Sequence, residues 1–166
     1  MALLPDGIYF CTADELYGSF VGAFPTSSTR TIIWAGFQEL MRQPLMLLID
    51  ATLWVDGSFV TRKLDPNDID IVCFAKAATL NDLSPESRSE LRRLQDADWS
   101  QPRFRTHLFV VAVHAAGDAR SAVFEALRCY WREWWGRTRR GTPKGFIRMT
   151  AGRPDQAPAI DEARCP

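Results

Sequence analysis

Two apolar, strand-prone runs joined through a Gly-Ser bend and an acidic strand start constrain this chain more than any other feature. Leu45 to Val55 is long enough and rich enough in β-formers to be a buried strand, and it stops at Gly57. Pro66-Asn67 marks a turn, after which Ile69, Ile71 and Cys73 alternate with Asp68, Asp70 and Val72 at the period of a second strand. Residues two apart on a strand share a face, so Asp68 and Asp70 project together with Cα atoms roughly 6.5 Å apart. Two carboxylates at that separation repel by about 2.5 kcal/mol at an effective dielectric of about 20. A cation between them relieves that cost.

The other elements follow from periodicity and punctuation. Residues 1 to 30 carry Pro5, Gly7, Gly18, Gly22 and Pro25 and read as a loop-rich lead-in with one short helix near Thr12 to Phe20. Ile33, Phe37, Leu40 and Met41 then recur at helical spacing, and the helix ends before Pro44, because proline disfavours helix in the residue ahead of it. Ser84-Pro85-Glu86 has the serine cap and first-turn proline of a helix start, leading into Leu91 and Leu94. A strand is expected from Phe104 to His114. Gly117-Asp118 introduces a helix whose buried face is predicted to be Val123, Leu127, Tyr130, Trp131 and Trp134 and which ends near Gly136. A short strand over Gly145 to Met149 completes the series. Alternating helices and strands of this number predict an α/β fold, a small mixed β-sheet flanked by helices. One domain over 1–150 is expected, with a mobile tail over 151–166, where Gly152, Pro154, Pro158 and Pro166 replace large apolar residues.

Bulk properties exclude more than they assign. The 20 Lys+Arg and 20 Asp+Glu cancel, so net charge alone demands neither a nucleic-acid nor a membrane partner. The longest apolar run, Pro44 to Val55, is interrupted by Asp50 and is too short to span a bilayer. The start lacks the basic and apolar regions of a secretory signal, so a cytoplasmic location is expected. Cys11, Cys73, Cys129 and Cys165 are widely spaced, without a Cys-x-x-Cys pair, and are expected to be reduced thiols rather than zinc ligands or a disulfide framework.

The chemistry concentrates between residues 53 and 70. Leu53-Trp54-Val55-Asp56-Gly57-Ser58 ends a strand in a bend, and Asp68-Ile69-Asp70 opens the next strand ten residues after Ser58. Magnesium held by one or two carboxylates plus substrate phosphates is the usual way such a pair serves phosphoryl chemistry. Asp68 and Asp70 are the candidate metal ligands. Gly57 lets a phosphate approach the backbone, Ser58 offers a hydroxyl and an amide, and Lys63 or Arg62 can neutralise phosphate oxygens.

This block resembles the signature of the DNA polymerase β-like nucleotidyltransferase superfamily, in which an apolar residue and Gly-Gly or Gly-Ser precede a gap and then acid-apolar-acid. Leu4-Pro5-Asp6-Gly7-Ile8, Gly57-Ser58-Phe59-Val60-Thr61 with Pro66-Asn67-Asp68-Ile69-Asp70, and Tyr130-Trp131 with Gly136, Arg139 and Lys144-Gly145 look like a bacterial and phage family within it. The resemblance implies a polymerase β-type nucleotidyltransferase fold, Mg2+ and a nucleoside triphosphate, with RNA, protein or a small molecule as the hydroxyl acceptor. Active members of that superfamily place a third carboxylate on a later strand. The corresponding stretch here, Phe104 to Val111, contains no acid, and His107 stands where that group is sought. A neutral imidazole can act as a base but is a poor substitute for an oxygen ligand of magnesium. The resemblance therefore leaves two expectations: a magnesium-dependent nucleotidyltransferase using Asp68, Asp70 and His107, or a degenerate relative that binds nucleotide or a partner, as an antitoxin-like or phage-defence component.

From Arg120 to Arg148 eight cations face only Glu125 and Glu133. That stretch can guide a nucleotide or a nucleic-acid strand, with a tryptophan offering its face to a base. The alternative is a core-packing helix with its tryptophans inside and its arginines in solvent.

Overall fold

The structure, a computed structural model, describes residues 4–153, 155 and 157–160. Chain order is β1 (Gly7–Phe10), α1 (Ala13–Tyr17) running into a π-helical turn (Gly18–Gly22), α2 (Arg30–Met41), α3 (Pro44–Leu48), β2 (Ala51–Asp56) and a 3-10 turn (Ser58–Val60). It continues as β3 (Ile69–Lys76), α4 (Ala77–Asn81), α5 (Pro85–Gln95), α6 (Ala97–Phe104), β4 (Thr106–Val113), α7 (Ser121–Trp135) and β5 (Gly145–Ala151). The strands form one mixed sheet in the order β1-β5-β2-β3-β4. β2 is antiparallel to both of its neighbours, whereas β1 with β5 and β3 with β4 run parallel.

Strand alternation gives the sheet two apolar faces. Leu53, Val55, Ile69, Ile71, Cys73, Leu108, Ile147 and Met149 point to one side and pack with Leu16, Phe20, Ile33, Phe37, Leu40 and Leu94 from the helices. Trp54, Val72, Phe74, Val111 and Phe146 point to the other and are covered by Phe124 and Trp135 of α7 and by Ile160. On the first face α2 closes tightly on the end of α6: a Cβ built on Gly36 would lie 2.1 Å from the Phe104 carbonyl oxygen, so only glycine fits there.

Several features of the structure depart from the sequence expectations. The run predicted as a strand from Leu45 begins as α3. Pro44 sits in its first turn, and Leu45, Met46 and Ile49 are buried while Leu47 and Leu48 are exposed, a helical and not an alternating pattern. Proline's fixed φ and the helix-forming Leu-Met-Leu-Leu run prevail over the strand preference until Ile49. The lead-in contributes an edge strand, β1, paired to β5 from Gly7↔Gly145 to Phe10↔Arg148.

On α7 the buried stripe is Phe124, Arg128 and Trp135 with Trp131 partly covered, whereas Val123, Leu127, Tyr130 and Trp134 are exposed. The two stripes have the same spacing, one residue apart, and contact with Phe74 and Phe146 selects the first. Cys129 is disulfide-bonded rather than the reduced thiol expected, whereas Cys11 and Cys73 are free.

Part of the segment expected to be mobile lies against the sheet. Ile160 is buried among the residues around Trp54, and the Thr52 hydroxyl donates to the Pro158 carbonyl at 2.7 Å. Residues 161–166 lie outside the described residues. Among the described residues no helix is long and apolar enough to cross a membrane.

Candidate functional site

The register of three strands assembles one polar row. Asp56, the last residue of β2, pairs with Asp70 of β3, and Asp70 pairs with His107 of β4. Residues paired across adjacent strands share a face, so Asp56, Asp70 and His107 stand side by side at one end of the sheet, on the α7 side. Asp68, just ahead of β3, turns toward the same point. His107 Nδ1 is 3.3 Å from Asp70 Oδ1 and 3.9 Å from Asp68 Oδ2. The two acids predicted to project together therefore converge on one imidazole.

The bend after β2 closes on Asp70. Gly57 has φ +85°, and a Cβ placed on it would lie 2.2 Å from Asp70 Oδ2. The left-handed backbone and the missing side chain are both required at this position. Ser58 opens the 3-10 turn and is half-buried.

Arg30 holds the loop that follows. Its guanidinium donates to the carbonyls of Phe20 (2.6 Å), Phe59 (2.7 Å), Thr61 (2.8 Å), Lys63 (2.6 Å) and Leu64 (3.2 Å), and it lies 3.8 Å from the centre of the Phe24 ring. The loop between the bend and the acids is thus fixed by one buried side chain whose five N–H groups all meet acceptors. Lys63, predicted as a phosphate ligand, offers its carbonyl to Arg30, while its side chain is exposed and pairs with none of the three acids.

Sequence reading gave no role to Asp56 or Gln101 and counted Lys144 only among the loop cations that could reach a triphosphate. Asp56 is buried and ion-paired with the ammonium of Lys144, which arrives from the residue preceding β5. Gln101 of α6 donates from Nε2 to Asp68 Oδ2 at 2.8 Å. Asp56 adjoins Gly57 in the sequence, so its nearness to the bend was legible. Its alignment with Asp70 depends on strand register, and the Lys144 and Gln101 contacts depend on long-range packing.

The electrostatics follow from burial and crowding. Desolvation pushes the Asp56 carboxyl up to about 6, against the opposing pull of Lys144, with Asp70 adding to the rise. Asp70 is likewise raised, first by burial and then by Asp68, with His107 and Lys144 opposing.

As a donor set for a hard divalent ion, the site offers two converging carboxylates. His107 and Gln101 already approach one oxygen of each, Asp70 Oδ1 and Asp68 Oδ2. The other Asp70 oxygen faces the space left open by Gly57. Two carboxylates beside a backbone cradle suit magnesium, which is commonly completed by phosphate oxygens and water. Among the described residues no group of three or more His, Cys, Asp or Glu is arranged to hold a metal by itself.

No curated protein and no solved structure matches the chain. A model described as a family of unknown function, DUF6932, matches residues 1–150, and the chain belongs to that family.

Proposed function

We propose that the chain is a magnesium-dependent nucleotidyltransferase of the DNA polymerase β type, moving a nucleoside monophosphate from a nucleoside triphosphate to a hydroxyl acceptor. The observation that carries this reading is the convergence of Asp68 and Asp70 beside the Gly57 bend, with a glycine where any side chain would collide with Asp70. Asp68 and Asp70 hold Mg2+, which supplies charge neutralisation for the polyphosphate. Gly57 and Ser58 face the phosphates with backbone and hydroxyl, and Lys63 reaches them from the exposed loop. The acceptor oxygen bonds to the α-phosphorus, the bond from that phosphorus to the bridging oxygen of the β-phosphate breaks, and pyrophosphate leaves. His107, beside Asp70, takes the acceptor's proton.

Labelled ATP, GTP, CTP and UTP incubated with the protein and candidate RNA, protein and small-molecule acceptors test this. Incorporation by the parent and its loss in Asp68→Asn and Asp70→Asn is the expected result, and incorporation unchanged in both variants removes these acids from the mechanism.

A second reading, a degenerate member of the same fold that binds nucleotide or a partner without turnover, is favoured by one feature: an imidazole stands against both acids where a third carboxylate would complete an active site. Calorimetry with magnesium and each triphosphate separates the two. Binding without incorporation supports the second reading.

A further inference from the structure

The stripe of α7 that its own sheet does not cover is itself a packing surface. Val123, Leu127, Tyr130 and Trp134 are all exposed, yet they follow one another at steps of four, three and four residues. That alternation is the spacing of a helix–helix seam, in which apolar residues recur every 3.5 residues on average. The stripe lies about a quarter-turn around the helix from the buried one, on the flank toward the edge strand β4. Aromatic rings run without a break across this flank. Phe109 of β4 lies 4.6 Å from Trp131, Trp131 lies 5.3 Å from Tyr130, and Tyr130 stacks at 10° on Trp134. The outer edge of β4 is not open to strand addition along its length, because the Val110 N–H donates to Gln95 Oε1 of α5 at 3.1 Å. What the flank offers is side chains.

An aromatic side chain buries about 150–250 Å² when fully covered, so Tyr130 at 53% and Trp134 at 66% exposure present roughly 180–300 Å² between them. Val123, Leu127 and the partly exposed Phe109 carry the patch past the few hundred Å² at which an exposed apolar surface marks an interaction site.

We propose that α7 docks along this seam on α7 of a second copy, antiparallel about a two-fold axis. The self-complementarity of the stripe selects that partner. Its aliphatic residues occupy the N-terminal half and its large aromatics the C-terminal half, so antiparallel pairing sets Trp134 against Val123 and Tyr130 against Leu127. Large against small at every layer is how facing helices fill the space between them. Parallel pairing would instead oppose Trp134 to Trp134 and leave Val123 facing Val123 across a gap. It would also bring together the two exposed Glu133 carboxylates that border the stripe, which the antiparallel arrangement moves to opposite ends of the seam. A two-fold contact uses the same patch on both copies and leaves none exposed. Counted over both copies with its polar rim, the buried area comes to roughly 1,000 Å², the lower bound for specific association, so the dimer is reversible and depends on concentration. None of the seam residues belongs to the row of acids, and the dimer is independent of the nucleotidyl reading.

Sedimentation equilibrium of the full chain from about 1 µM to about 500 µM tests this. The average mass should climb from 18.8 kDa toward twice that value and no further. Leu127→Glu and Trp134→Glu should each weaken association at least about tenfold, with little change in melting temperature at the lowest concentration, because both side chains are exposed in the single copy. Leu47→Glu, exposed on α3, should leave association unchanged. Mixing Leu127→Glu with Tyr130→Lys should restore a dimer that neither forms alone, since only antiparallel pairing brings those positions together, and Trp134→Glu mixed with Val123→Lys is the second such pair. A monomer at every concentration leaves the stripe to a different partner and overturns the proposal. Association that survives both glutamate substitutions overturns it too, as does the failure of both mixtures to associate better than their components.

Discussion

Replacing Arg30 with methionine should destabilise the protein by about 3 kcal/mol, and the figure can be built from its contacts. Two of the five carbonyls that it caps, Phe20 and Phe59, accept in fully buried surroundings, and the other three are partly buried. A buried acceptor deprived of its donor costs about 1–3 kcal/mol, whereas water can replace the donor at the partly buried three. Methionine keeps much of the packing but loses the guanidinium contact with Phe24, which contributes roughly 1 kcal/mol. Relief of the desolvation that lowers the Arg30 pKa offsets part of the sum. Urea denaturation monitored by tryptophan fluorescence measures the change. With a slope of about 2 kcal/mol/M, the midpoint should fall by roughly 1.5 M. Lysine should not rescue it, since an ammonium has three donors and no planar fork for five carbonyls. A loss below about 1 kcal/mol in Arg30→Met would refute the view that this side chain fixes the loop between the bend and the acids.

Other perturbations test the site and the packing separately. Gly57→Ala should cost about 1–3 kcal/mol and abolish triphosphate binding, because the residue has φ +85° and its new Cβ would displace Asp70; a calorimetric titration equal to the parent's would remove the cradle from the argument. The Asp56 carboxyl sits at about 6 in the folded state against roughly 3.9 when unfolded, so the folded state holds the extra proton between those values. Its contribution to stability is fully present below about pH 4 and is lost as pH rises through 6, a change of about 3 kcal/mol. The stability difference between the parent and Asp56→Asn, measured by denaturation from pH 4 to 7, should follow that slope, and a flat difference contradicts it. Trp135→Ala should cost about 3–5 kcal/mol, whereas Trp134→Ala stays within about 0.5 kcal/mol; equal melting shifts would mean that α7 is docked on the wrong face.

How much of this could be read from residues alone depends on whether the signal is local. Local punctuation set several boundaries: Ser84 caps α5, Gly136 follows the end of α7, and α2 stops ahead of Pro44. The spacing Gly57-Ser58 to Asp68-Ile69-Asp70 identified the acids and the bend, because alternation along a single strand and a turn glycine are properties of short segments. Where two segments satisfied the same local rule, the sequence did not choose between them. The apolar stripes of α7 differ by one residue in phase, and only the aromatic surface of Phe74 and Phe146 selects Trp135 over Trp134.

The sequence by itself therefore determined a mixed α/β composition, the close pair Asp68 and Asp70, and a glycine able to turn beside them. Tertiary structure decided their company: strand register aligned Asp56 with Asp70 and His107, and packing brought Lys144 and Gln101 to that row from 88 and 33 residues away. Charge partners, buried stripes and cavities arise where distant segments meet, and the free energy that selects them comes from burial and pairing across the sheet, which no window of neighbouring residues contains.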